Sequence, residues 1–218
     1  AEGHSPAGDP GETGIQYQAE GMRAAVLFSG GKDSSLAAIL LSTWYEVELN
    51  TYLFSQDTNI DAVRKAAGSL GFPHHIRQFR EELLGEMVDL IIREGFPNNA
   101  IQQVHREAIR CLCDEYEVIA DGTRFGDRVP LLTDDEIRSI GDRYGCSYIR
   151  PLIGFPKKEV ERLVSRYLII ENGVTGEIEN GDYETGIRRE LVRRGLSSES
   201  FFPPAHQQSL VTGRKPNS

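Results

Sequence analysis

Cysteine is scarce in this chain, with three residues in 218. So small and odd a number cannot build a disulfide scaffold, and it points to a reducing, cytoplasmic setting. Long apolar runs are missing as well. No stretch approaches the roughly 20 residues that a bilayer-spanning helix needs, so no membrane segment is expected. Nor is there an excess of basic residues: 24 Lys and Arg stand against 33 Asp and Glu, a net charge of −9. That balance excludes broad non-specific nucleic-acid binding and leaves room only for a local basic patch. Residues 1–22 have no apolar signal-peptide core. They read as a flexible leader or an expression remnant, with Met22 a candidate internal start. No repeat is present. What the chain does hold is 39% hydrophobic residues, enough for the core of one domain.

Those residues fall in short apolar runs that alternate with amphipathic stretches. Runs at 24–29, 46–57, 74–79, 117–123 and 147–152 read as strands. Stretches at 34–44, 58–71, 80–95, 98–116, 133–145 and 156–167 read as helices. Such alternation implies βαβ units, hence an α/β fold: a doubly wound, Rossmann-like parallel sheet with helices on both faces. Three unusual stretches, SGGKDS, SQDTN and DGTRFGD, fall at predicted carboxyl ends of strands, where ligands bind in such folds. The domain is expected to span 23–167. Beyond it, 168–218 reads as a helical and irregular extension, with a basic helix at 185–196 and a tail folded only in part against the body.

The first of these stretches carries the most chemistry. An apolar strand ends in Ser29-Gly30-Gly31-Lys32-Asp33-Ser34, and a helix follows with Ser34 near its start. A helix N-terminus offers unpaired N–H groups and a positive dipole end to an anion. Gly30 and Gly31 allow close backbone approach, Ser29 and Ser34 add hydroxyls, and Lys32 adds charge. The spacing is not that of a Walker A loop, and Asp33 follows the lysine.

SGGKDSS after a hydrophobic strand resembles the S-G-G-x-D-S signature of the PP-loop ATP pyrophosphatases, a family that includes GMP, NAD and lysidine synthetases and tRNA-thiolating enzymes. The resemblance covers about residues 23–167. It implies a Rossmann-like fold, cleavage of ATP between the α and β phosphates, adenylation of a substrate, and release of pyrophosphate. Two softer stretches fit the family. IADGTRFGD puts Gly122, Thr123 and Asp127 on its fourth-strand motif, without the common His and double Asp. RPLIGFPKKEV puts Pro151, Leu152, Lys157, Glu159 and Val160 on a later one. The implied cofactors are ATP and Mg²⁺, with Asp33 and Asp127 at the metal and Lys32 and Lys157 among the catalytic residues. A carboxylate is the natural partner of a hard cation that accompanies phosphates. By the same analogy Phe28, Phe54, Ser55 and Gln56 line the adenine pocket.

The acceptor of the adenylate is left to weaker signals. The leading expectation is a tRNA base, reached through Arg106 and Arg110 on one helix and Arg188, Arg189, Arg193 and Arg194 on another, with His105 a further candidate on the first. A solvated helix face is the competing reading of both clusters. An ammonia-dependent ligase acting on a small carboxylate is the second reading of function, and a nucleotide-binding regulatory subunit without turnover the third. Cys111, Cys113 and Cys146 read as small buried residues, and His74 and His75 lack a metal partner at motif spacing. The stretches NGDYETG and HQQSLVTGRK, with His206, Ser209, Arg214 and Lys215, read as a segment that could close over the site. The resemblance also implies a homodimer.

Overall fold

RAAVL is apolar and short, and it forms the central strand β1 (Arg23–Leu27), buried from its second residue on. The computed structural model describes residues 21–174, 178–203 and 207–216, so the expected leader lies outside the described residues as far as residue 20. Four further strands join β1 in parallel: β2 (Glu46–Leu53), β3 (His74–Gln78), β4 (Val118–Ala120) and β5 (Ser147–Ile149). Their order is β3-β2-β1-β4-β5. The chain leaves β1 toward β2 on one side and returns to β4 on the other. The crevice at the carboxyl ends of β1 and β4 is therefore the topological switch point, where doubly wound sheets bind ligands.

Six helices fill the connections, as the apolar spacing predicts: α1 (Lys32–Leu41), α2 (Asp61–Leu70), α3 (Glu81–Glu94), α4 (Asn98–Cys113), α5 (Asp134–Tyr144) and α6 (Lys157–Tyr167). In α2, Val63, Ala66, Ala67 and Leu70 are buried, the stripe of a 3.6-residue period, and the helix stops at Gly71 in a left-handed conformation (φ 78°). A capping box between Thr133 and Glu136 starts α5. Two apolar clusters cover the two faces of the sheet. One gathers residues of α3 and α4 with Ile187 and Leu191; the other gathers residues of α1, α2 and α6 with Val211.

Residues 168–218 hold a helix where one was expected, and a strand pair where irregular chain was expected. β6 (Leu168–Val174) pairs antiparallel with β7 (Gln207–Arg214), and α7 (Tyr183–Arg193) runs between them in sequence and packs on α3 and α4. The strand character of β6 was hidden because, after the buried Leu168, its residues are exposed or half-exposed and carry no clean alternation. The cysteines are a second difference. Cys113 at the end of α4 is joined to Cys146 beside β5, and Cys111 is free. Helical spacing does put Cys111 and Cys113 on different faces, as expected, and it is this that turns Cys113 inward to a partner 33 residues away.

Candidate functional site

The SGGKDS turn joins β1 to α1. Its helix begins at Lys32 with Gly31 as the extended N-cap, and no side chain of the turn caps it. Ser34 is thus within the first turn rather than at the cap. Its hydroxyl donates to Gly31 O at 3.2 Å and lies 3.4 Å from the Ser29 amide, which donates to it. The Ser29 hydroxyl in turn accepts from the Gly31 amide at 3.4 Å. These bonds are long, so both hydroxyls can exchange partners with a ligand at little cost.

Gly122 explains how the end of β4 meets this turn. A Cβ built there would lie 2.5 Å from Ser34 N and 2.6 Å from Asp33 C, both backbone atoms. Only glycine lets the two chains approach so closely. On the outer side the loop is held by the C-terminal hairpin. Val211 N–H donates to Gly30 O at 2.9 Å, and the Lys32 amide donates to the Ser209 hydroxyl at 3.2 Å. Gly181 N–H donates to Ser29 O at 2.9 Å, so the segment before α7 also crosses the strand ends.

A cavity of about 320 Å³ opens above these strand ends. Phe28, Ser29, Asp33 and Ser34 line it from the loop, and Gly122, Thr123 and Asp127 from the segment after β4. These seven sequence-predicted residues are brought together. The others are not. Gly30, Gly31 and Lys32 do not line the cavity; Gly30 and Gly31 lie under β7, against Leu210 and Ser209. Phe54 packs on Phe79 in the core, and Ser55 and Gln56 are exposed, with the Gln56 amide bonded to Gln78. The wall toward β2 is made instead by Asn50 and Tyr52, one strand turn earlier. Lys157 opens α6 with its side chain 76% exposed and paired with Glu161 at 3.8 Å.

Asp33 fits a hard cation. Its Oδ1 is buried and has no hydrogen-bond donor, while Oδ2 lies 3.5 Å from both Lys32 Nζ and Arg124 Nε. Burial raises its pKa, against the lowering effect of those two cations. A buried, donor-free carboxylate oxygen in the first turn of a helix suits Mg²⁺, which is usually held by one or two carboxylates and substrate phosphates. Asp127 does not present itself in the same way, because both of its oxygens accept hydrogen bonds from Arg124. Among the described residues no group of three His, Cys, Asp or Glu side chains could hold a metal by itself. Burial pulls the pKa of His74 down to about 4, and His75 pairs with Glu48.

Sequence reasoning missed the polar network on the far wall. His105 Nε2 is 2.7 Å from Asp121 Oδ2, which also accepts from the Tyr148 hydroxyl at 2.6 Å. The Thr123 amide donates to Asp121 Oδ1 at 2.9 Å, and the Tyr183 hydroxyl lies 3.5 Å from His105 Nδ1. Burial acts to raise the pKa of Asp121, but the bonds from His105, Tyr148 and Thr123 prevail and hold it below the usual carboxylate range. With Asp121 ionised, Nε2–H is the donor in that contact. His105 is only 3% exposed, so it is not the solvated helix residue that its spacing suggested. An Asp directly before a strand-ending glycine, with a His on the preceding helix, was the available signal.

Most arginines expected at an RNA surface hold acidic partners. Arg106 pairs with Glu136, Arg110 with Glu107, and Arg188 with Glu184. Arg193 and Arg194 share Glu190, and Arg194 also reaches Asp89. Arg189 is exposed. In the segment expected to close over the site, Ser209 does reach the loop; His206 lies outside the described residues.

Comparison with known proteins agrees with this architecture. An uncharacterized protein of Methanocaldococcus jannaschii, MJ0690, is 40% identical over 195 residues, which cover 89% of this chain and 97% of that protein. A crystal structure described as a predicted subunit of tRNA methyltransferase from the same organism superimposes with a TM-score of 0.82 at 39% identity, over 90% of this chain and 100% of that one. The U34-tRNA thiolase NcsA from Methanococcus maripaludis matches at a TM-score of 0.41 and 20% identity, over 66% of this chain and 55% of its own, a distance that says nothing about chemistry. A family model described as a family of unknown function, DUF7411, matches residues 22–213, and the chain belongs to that family.

Proposed function

We propose that the protein is a PP-loop ATP pyrophosphatase that cleaves ATP to AMP and pyrophosphate in order to adenylate a substrate. The observation that carries this reading is Asp33 Oδ1, buried and donor-free in the first turn of α1 at the switch point of the sheet. The helix amides and the hydroxyls of Ser29 and Ser34 take the phosphates. Asp33 would hold Mg²⁺, which supplies charge neutralisation on the leaving pyrophosphate. The chain's own contribution is orientation. Gly122 fixes the loop against β4, the hairpin fixes it from outside, and the wall of Asn50, Tyr52 and His105 bounds the space left for base and acceptor.

The acceptor in this reading is a tRNA base. A relative of the same fold, matched over its whole length, is described as a predicted subunit of a tRNA methyltransferase, which supports nucleic acid over a small carboxylate. The test is pyrophosphate release from ATP and Mg²⁺, with bulk tRNA in one arm and ammonia with a panel of carboxylic acids in the other. Release that depends on tRNA is the expected result. Release only with ammonia and an acid would favour the ligase, and tight ATP binding with no release in either arm a regulatory subunit. No calorimetric ATP binding with Mg²⁺ would remove the reading altogether.

A further inference from the structure

Asp127 belongs to the stretch from which a second metal ligand was expected, yet both its oxygens are taken. Oδ2 accepts from the Arg124 amide at 2.8 Å, and Oδ1 from Arg124 Nη2 at 2.9 Å. The Asp127 amide donates back to Arg124 O at 3.2 Å, closing a tight loop. Arg124 Nε then lies 3.4 Å from Asp127 Oδ2 and 3.5 Å from Asp33 Oδ2. The guanidinium is clamped on one carboxylate and only leans on the other.

We propose that Arg124 is a phosphate-binding residue of the site and that Asp127 is its positioning residue, not a metal ligand. The inference rests on the ATP reading above. Were Asp127 to turn to a cation, Arg124 would lose its clamp while its side chain is 23% exposed. A part-buried charge left without its partner is strongly unfavourable. If Asp127 keeps Arg124, only the long contact between Nε and Asp33 has to change. A cation held by Asp33 would replace that contact and leave one edge of the guanidinium open to an anion at the loop. Charge agrees with this exchange. Lys32 and Arg124 offset Asp33 and Asp127 in the protein alone, so a metal on Asp33 would leave positive charge beside the loop that an arriving polyanion can offset. Arginine suits the task because its planar fork can hold a carboxylate on one edge and a phosphate oxygen on another.

The test uses the full chain and two probes. Inorganic pyrophosphate is titrated by calorimetry with Mg²⁺ present, and Mn²⁺ is counted by electron paramagnetic resonance in the presence of ATP. Arg124→Ala is expected to weaken pyrophosphate about tenfold, the scale of one charge-assisted contact. Asp127→Asn should weaken it nearly as much, and the double variant no more than Arg124→Ala, because the two residues act as one unit. Asp127→Asn should still bind Mn²⁺ with ATP, whereas Asp33→Asn should not. Where a variant melts below the assay temperature, Asp127→Glu replaces it; its longer arm misplaces the guanidinium and is expected to weaken pyrophosphate while sparing Mn²⁺. Loss of Mn²⁺ in the Asp127 variant, or wild-type pyrophosphate affinity in Arg124→Ala, overturns the assignment. Wild-type binding of pyrophosphate but not of ATP would overturn the ATP reading and leave Arg124 in place. Failure to bind either would remove both.

Discussion

Asp33 shows how a candidate site residue can work against the fold that holds it. Burial is the largest influence on its carboxyl, and it raises the pKa despite Lys32 and Arg124 nearby. The sign follows from linkage. A carboxyl whose folded pKa lies above its unfolded value binds more protons in the folded state between the two values. Stability therefore falls as pH rises through that window, and at neutral pH the ionised Asp33 opposes folding. Asp33→Asn is expected to raise the melting temperature at pH 7, by about 2–4 °C for each kcal/mol of relieved cost in a chain of this size. The gain should vanish at a pH below the unfolded carboxylate value. The same variant should lose the metal. Thermal scans at pH 3 and pH 7 check the first effect, and a variant that melts lower than the wild type at pH 7 would refute it. At this scale the sequence was readable only in part. Ser29, Asp33 and Ser34 stand in one short string whose chemistry is local. Arg124 and His105 take their roles from contacts with residues that lie across the fold, Asp33 in one case and Asp121 in the other, and spacing along the chain does not report those.

The elements were legible where periodicity and stop signals agree, as in α2 and α5, and illegible where a strand lacks both. β6 is such a strand, and β7 sits in a tail whose polarity suggested loose chain. Its inward residues are Ser209 and Val211, the latter 1% exposed, and they lie on the phosphate loop rather than on solvent. The hairpin thus acts as a brace. It holds Gly30 O through the Val211 amide and gives the Lys32 amide a partner in the Ser209 hydroxyl. Val211→Ala should cost about 2 kcal/mol of stability, the range for deleting buried methyl groups. It should also weaken ATP more than a like change far from the loop, such as Val88→Ala in α3. Denaturant unfolding and ATP calorimetry on the two variants make that comparison. Equal ATP affinities would mean that the hairpin packs on the loop without tuning it.

On the scale of the whole molecule, charge constrains how an RNA could be received. The chain carries −9 overall, and five of the six arginines first considered for RNA are held by acidic side chains. Such a surface cannot release many counterions, since each ion pair must be opened before its arginine neutralises a phosphate. Recognition of a tRNA would then rest on the cavity and a few contacts around it, with Arg128 and Arg189 among the exposed cations near enough to solvent to serve. The salt dependence of tRNA binding measures this directly. With about two or three phosphates contacted, the slope of log K against log salt should be about −2, and affinity at physiological salt should be weak. A slope of about −6 or steeper would mean that the paired arginines reopen to form an RNA face. In that case Glu190→Gln, which frees Arg193 and Arg194 from their shared carboxylate, should strengthen binding; with the shallow slope it should leave tRNA affinity unchanged.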